Sequence, residues 1–246
     1  VNSWKRGIFK MNTLIVACQT IEDELNKAIG EIGCNYPVLW IKSGLHLQPD
    51  SLKECLQCEL DHISNVEQVI LAFGYCGNAI IGLKPPTYRM IFPRVDDCIT
   101  LLLGSCKRRN ELSGDGGTYF LTKGWLESER NIWIEYQEAV KRYGREKAEK
   151  IYSIVFKHYQ KLGVIKTGAY ELENYLEKTK KIASELKLQY EVLPGTIEYI
   201  KKLLTGPWDP REFITINPGE TVTMEHIYDV DGQLSKNAQC TIDSKL

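Results

Sequence analysis

The chain has 246 residues, a hydrophobic fraction of 43% and a formal net charge of −1. This length and composition predict one ordinary α/β domain, or one domain with an appendage. The near-neutral charge argues against nucleic acid or an anionic membrane as the main partner, and no apolar run is long enough for a membrane span.

The cysteine content indicates the compartment. Eight cysteines are many for a cytoplasmic chain but too few for a disulfide scaffold. The first ten residues lack the apolar stretch of a signal peptide and look like an extension ahead of Met11. We therefore expect a cytoplasmic protein with reduced cysteines, some of which bind metal, some react and some pack in the core.

The first hundred residues alternate between apolar runs and helical patterns. Continuously apolar runs predict strands, covered on both faces, at 13–17, 37–41, 68–73 and 88–92. Helices are expected after Thr20 as N-cap, from Pro49 to about Ile63, and from near Asp96. This alternation predicts a Rossmann-like α/β fold, with a mostly parallel sheet and flanking helices.

The later chain predicts a helical insertion or subdomain around 128–186. Helices are expected at about 128–143, 145–161 and 171–186, interrupted at Gly144 and by the glycine-bounded segment 163–168. A strand is possible at 118–122, and the α/β pattern returns with a strand at 188–192, a helix at 195–204 and a strand at 213–216. The domain should then span 11–219, between the extension 1–10 and a polar C-terminal tail at 220–246, whose residues from 229 on we expect to be poorly ordered.

Three cysteines each follow a predicted strand, and together they suggest a metal site. Cys18 ends the first strand, Cys76 follows the third between Gly74 and Gly77, and Cys98 follows the fourth. Open α/β sheets bind ligands at the carboxyl ends of their strands, so the three thiols could converge there. Three thiolates would suit a [4Fe-4S] cluster with one open coordination site, or zinc, and the two glycines would let the backbone approach that cofactor.

Other polar residues are predicted on the same rim. Asp96 or Asp97 is a plausible N-cap of the helix that follows, which places Cys98 in the first turn, where the helix dipole favours a thiolate. His46 follows the second strand and could move protons or act as a fourth ligand. Arg94 could hold an anionic substrate. His46, Arg94 and Asp97 are thus the candidate catalytic residues.

A purely structural interpretation is also possible for the cysteines and for a basic segment. A lone cysteine at the end of a buried strand is usually a small core residue. The Cys55-x-x-Cys58 spacing is better explained as one helix face against the sheet than as a zinc or redox motif. The basic run 104–109 is better explained as a helix C-terminus than as an anion site.

Several segments together resemble the family described as domain of unknown function 1638. They are Cys18, the ranges 44–46, 74–83, 93–105 and 117–125, and His158-Tyr159. The resemblance covers about residues 11–219 and names no activity. It implies a setting in anaerobic metabolism, because family members often accompany corrinoid methyltransferase systems.

Two functions follow as expectations. The first is a metal-dependent protein of anaerobic metabolism, linked to corrinoid-dependent methyl transfer, that acts on a small molecule or within a methyltransferase system. The second is a non-catalytic binding or accessory protein for a corrinoid, a nucleotide or a methyltransferase partner. The sequence does not distinguish between them, and it gives no oligomeric state.

Overall fold

The computed structural model describes residues 12–114 and 116–228, apart from the side chains at positions 46 and 47. The predicted N-terminal extension 1–10 and residues 229–246 of the predicted tail lie outside the described residues. The fold is a mixed α/β arrangement with a mostly parallel sheet and flanking helices, as the sequence predicted, and it also contains a second, smaller sheet that was not predicted. None of the helices in the described ranges is long and apolar enough to cross a membrane.

Sheet A contains five strands in the order β2-β1-β3-β4-β8. Four strands are parallel and β8 pairs antiparallel with β4. The strands are β1 (Thr13–Cys18), β2 (Val38–Ile41), β3 (Gln68–Ala72), β4 (Arg89–Pro93) and β8 (Phe213–Ile216). β3 is buried along its whole length, which explains the unbroken apolar sequence that follows Gln68.

Five of the helices in the described ranges that accompany sheet A precede β8 in the chain. They are α1 (Glu22–Ile32), α2 (Pro49–His62), α3 (Cys98–Leu103), α4 (Cys106–Ser113) and α9 (Glu198–Thr205). From β1 the chain passes first to β2 on one side, and then to β3 on the other side. The strand order therefore reverses between β1 and β3, and the crevice at such a reversal is where open α/β sheets bind ligands.

Sheet B is a parallel sheet of three strands, β5 (Thr118–Leu121), β6 (Lys161–Lys166) and β7 (Gln189–Pro194). The helices of this part are α5 (Lys123–Glu127), α6 (Ile132–Tyr143), α7 (Arg145–Val155) and α8 (Leu176–Glu185). The predicted helical insertion therefore contains the central strand of a second sheet. The helix expected to reach residue 161 ends at Val155, because the buried residues of β6 pair with both neighbouring strands.

Part of the predicted C-terminal tail belongs to the fold. Val222 and Ile227 are buried in the core of sheet A, and a short helix, α10 (Met224–Ile227), contains the second of them. The Val222 N–H donates to the Leu83 carbonyl at 2.9 Å, and the Gly82 N–H donates to the Val222 carbonyl at 2.8 Å. Residues 220–228 therefore pack against the sheet instead of extending from it.

Each sheet has its own hydrophobic core, and helix α5 lies where the two meet. Trp125 on α5 packs against both cores. Gly124 lies so close to the Thr20 backbone that a side chain there would overlap it. The Lys123 ammonium pairs with Asp23 of α1 at 2.6 Å. The second sheet is thus held against the carboxyl end of β1.

Candidate metal centre

The carboxyl ends of β1, β3 and β4 bring three cysteines together, as the sequence predicted. Cys18 is the last residue of β1, Cys76 lies in the loop after β3, and Cys98 is the first residue of α3. The side chain of Cys98 hydrogen-bonds with those of Cys18 and Cys76. Residues 80 positions apart in the chain therefore meet at the point where the strand order reverses.

The loops after β3 and β4 are joined backbone to backbone. The Tyr75 N–H donates to the Val95 carbonyl at 2.9 Å, and the Cys76 N–H donates to the Asp96 carbonyl at 2.8 Å. Gly74 permits this approach, because a side chain at that position would overlap the backbone of Asp97. Gly74 thus sets the position of Cys76, whereas a direct role in holding a cofactor stays a prediction.

Cys76 has an unusual backbone conformation. Its φ is 47°, and the next two residues, Gly77 and Asn78, have φ of 68° and 71°. A left-handed conformation costs a residue with a Cβ about 1–2 kcal/mol, so the neighbouring contacts must maintain it at Cys76. Backbone strain of this kind is concentrated at functional sites, which makes Cys76 a stronger candidate than its sequence alone suggested.

Cys18 is held by the turn that follows β1. Its sulfur accepts from the Thr20 N–H at 3.3 Å and lies 2.9 Å from the Thr20 hydroxyl oxygen. Cys18 therefore caps the short 3-10 helix Gln19–Ile21, whereas the sequence analysis assigned the N-cap to Thr20. The helix α1 itself begins at Glu22 without a side-chain cap.

Two of the three thiols hold their protons at neutral pH. Burial raises the pKa of Cys18 well above its ordinary value, and the hydrogen bond with Cys98 raises it further. The pKa of Cys76 is also raised, first by its hydrogen bond with Cys98 and then by burial. Since thiolates and not thiols bind metal, a metal ion would have to displace these protons.

Of the two predicted N-cap candidates, Asp96 and Asp97, it is Asp97 that caps α3, and several contacts hold it there. Its Oδ1 accepts from the Thr100 N–H at 3.1 Å and from the Thr100 hydroxyl at 3.2 Å. Its Oδ2 lies 2.9 Å from the Arg109 guanidinium. The Asp97 carboxylate is close enough to the thiols to raise the pKa of Cys76. The structure therefore brings Asp97 to the rim, where its side chain caps α3 and pairs with Arg109.

Arg94 is engaged away from the thiols. Its guanidinium donates to the carbonyls of Pro210 at 3.1 Å, His226 at 2.7 Å and Ile227 at 3.3 Å. These bonds attach the C-terminal segment to the end of β4. His46 lies in the 3-10 helix Ser43–Leu47 after β2, but its side chain is outside the described part of the structure, so its role stays a prediction.

The three thiols are not arranged as a preformed metal site. Within residues 12–114 and 116–228, no group of three or more His, Cys, Asp or Glu side chains stands in an arrangement that could hold a metal ion. The donor set nevertheless suits a soft metal in number and chemistry. In a zinc site, Zn–S bonds of about 2.3 Å place the sulfurs about 3.8 Å apart. Two of the three sulfur pairs here are already joined by hydrogen bonds.

Of the two cysteines in the Cys55-x-x-Cys58 spacing, only Cys55 fits the prediction of a helix face against the sheet. Cys55 packs against the core of sheet A from α2, and Cys58 on the same helix is exposed. The Cys58 sulfur lies 3.9 Å from Nδ1 of His62, one turn later on that helix. All seven cysteines in the described ranges are free thiols.

Sequence reasoning did not identify Arg109 as part of the rim. The basic run 104–109 was interpreted as a helix C-terminus, but α3 ends at Leu103 and a second helix begins at Cys106. Arg109 consequently turns back to Thr100 and Asp97. In the sequence, the sign of this break is Gly104, because a glycine often ends a helix. In the structure Gly104 has the left-handed conformation that ends α3.

The fold and the rim define an α/β protein with a thiol cluster at the reversal of strand order. A family model described as "Protein of unknown function (DUF1638)" matches residues 40–204, so the chain belongs to that family. No curated protein and no solved structure matches the chain.

Proposed function

We propose that Cys18, Cys76 and Cys98 bind a metal as three thiolates and leave one coordination position open for a substrate atom. The observation that carries this proposal is the hydrogen bonding of both Cys18 and Cys76 to Cys98 at the reversal of strand order. Cys98 is also the first residue of α3, where the helix N-terminus favours negative charge. The left-handed backbone of Cys76 adds support.

Two metals are compatible with this donor set. Hydrogen-bonded sulfurs favour a single ion such as zinc, because one ion draws its ligands together. A [4Fe-4S] cluster binds each thiolate to a different iron and would require the sulfurs to move apart. The cluster remains the alternative, since three cysteines without a fourth would leave one iron open to substrate. His46 is the candidate for proton transfer beside either metal.

The biological setting is part of the proposal. We propose a setting in anaerobic metabolism, linked to corrinoid-dependent methyl transfer, with a small-molecule substrate or a methyltransferase system as partner. Free thiols throughout the described ranges agree with a reducing compartment, so we propose the cytoplasm.

Metal content tests the proposal directly. The protein is purified without oxygen, and its zinc, iron and acid-labile sulfide are measured together with its absorption spectrum. Near-stoichiometric zinc without colour supports the single ion, and iron with sulfide and absorption at about 400 nm supports the cluster. The triple variant Cys18→Ser, Cys76→Ser, Cys98→Ser should lose the metal, whereas Cys58→Ser, the exposed cysteine of α2, should keep it. Metal-free protein that cannot be loaded with zinc or reconstituted with a cluster would refute the proposal.

A non-catalytic binding function is the second candidate, because the thiols are poorly accessible. Cys18 is 0% exposed and Cys98 is 3% exposed, as expected for core residues. In that case the crevice would hold a corrinoid, a nucleotide or a methyltransferase partner without chemistry of its own. A folded triple serine variant that keeps its ligand would favour this function.

A further inference from the structure

A cleft of about 180 Å³ lies at the seam between the two sheets, beside the start of α3. Asp97 and Ile99, the two sequence neighbours of Cys98, line one side of it. Phe120, from β5, and Trp125, from α5, belong to the other side. Ligand pockets often occur where two structural units meet, and this one is bounded by both sequence neighbours of a proposed metal ligand.

The walls of the cleft are aromatic. Tyr119, Phe120, Trp125 and Tyr159 all line it. Tyr119 and Tyr159 are held edge to face, with their ring centroids 5.8 Å apart. The Arg109 guanidinium lies 5.9 Å from the centroid of the Phe120 ring. Rings in these orientations favour a flat ligand, which can stack on one ring and meet the edge of another.

The polar end of the cleft is an ion pair without net charge. Asp97 and Arg109 are 2.9 Å apart, and their side chains are 35% and 25% exposed, so a ligand can reach both. Thr100 and Arg109 account for three contacts of the Asp97 carboxylate, which can accept about four hydrogen bonds. The pair thus offers an acceptor beside a cationic donor group, and its charge balance favours a neutral ligand.

We propose that this cleft binds a neutral, six-membered nitrogen heterocycle that has a hydrogen-bond donor next to an acceptor, as a pyrimidine base does. The volume fits one ring, since a cavity of about 150 Å³ is enough for benzene. A complete nucleotide would extend into solvent. The further role of the cleft as the substrate pocket of the metal centre rests on the proposed function, whereas the binding itself does not.

Calorimetry with uracil on metal-free protein tests this proposal. Uracil should bind at least about tenfold more tightly than 1,3-dimethyluracil, which has the same ring but no N–H donors. Asp97→Asn should weaken uracil binding by at least about tenfold while it preserves the helix cap, because asparagine caps as well as aspartate. Arg109→Gln should have a similar effect.

Arg108→Gln is the matched control, because Arg108 is the preceding residue of α4 and points to Glu111 instead of the cleft. It should bind uracil like the wild type. Equal binding of 1,3-dimethyluracil, tighter binding of benzoate, equal loss in Arg108→Gln, or no uracil binding in the millimolar range would each overturn the proposal. The triple serine variant should still bind uracil, so failure of the metal proposal remains a separate result.

Discussion

At the residue scale, the candidate centre is a set of thiols whose protons compete with a metal. The sequence correctly placed Cys18, Cys76 and Cys98 at strand ends, because apolar runs and the residues after them are local features. It could not predict their protonation. Burial and hydrogen bonding to Cys98 raise the pKa values of Cys18 and Cys76, and both effects arise from residues far away in the chain.

Metal binding should therefore release protons. Cys18 and Cys76 both hold protons at pH 7, so at least two should leave for each zinc ion bound, and affinity should rise steeply with pH. Zinc titration in weakly buffered solution with a pH indicator measures this release. Cys76→Ser should release fewer protons, and Cys58→Ser should match the wild type. Tight zinc binding without proton release would show that other ligands hold the ion.

At the element scale, the junction between the loops after β3 and β4 determines the position of Cys76. The sequence indicated a turn of small residues there and suggested that Gly74 lets the backbone approach a cofactor. In the structure Gly74 approaches the Asp97 backbone, which leaves no room for a side chain. The sequence did not predict strand β6, and here too the reason is a glycine that is explained only by its neighbours in space. Gly163 interrupts its apolar pattern, and the structure fills that space with Leu193 and Thr118 from the neighbouring strands.

Gly74→Ala should therefore destabilise the protein and displace Cys76. The added methyl group would overlap the Asp97 backbone, and overpacking of this kind costs about 1–3 kcal/mol. Urea unfolding measures the loss of stability, and metal content reports the displacement. Gly30→Ala is the control, because nothing lies within 4 Å of a side chain there and alanine favours the helix. Equal stability of Gly74→Ala and the wild type would contradict the proposed close approach.

At the scale of the whole molecule, the two sheets are joined by buried polar contacts that no local pattern predicts. Glu24 on α1 is only 1% exposed, and its carboxylate accepts from the Thr167 hydroxyl, just after β6, at 2.9 Å. Burial raises the pKa of Glu24 to about 7, from an ordinary value of 4.5. The carboxyl group therefore holds its proton in the folded protein at pH values where the unfolded chain has lost it.

Stability should consequently depend on pH through this residue. Because the pKa of Glu24 is raised in the folded state, its contribution to the free energy of unfolding is complete below pH 4.5. That contribution is lost as the pH rises from 4.5 to about 7. Glu24→Gln removes the titration, so the wild type should lose about 3 kcal/mol across this range relative to the variant. Denaturant unfolding at several pH values measures the difference. Glu22→Gln, an exposed position in the same turn, is the control and should follow the wild type.

The sequence alone determined the parallel core, the order of its first four strands along the chain and the position of the three cysteines after three of them. These features depend on local apolar runs and on turn residues, which neighbouring amino acids specify. Only the tertiary structure decided that the thiols are hydrogen-bonded to one another, that Arg109 closes on Asp97 while Arg94 does not face the thiols, and that a second sheet covers the rim. Each of these features depends on contacts between residues that are distant in the chain. Such contacts contribute free energy only after the backbone has brought the residues together.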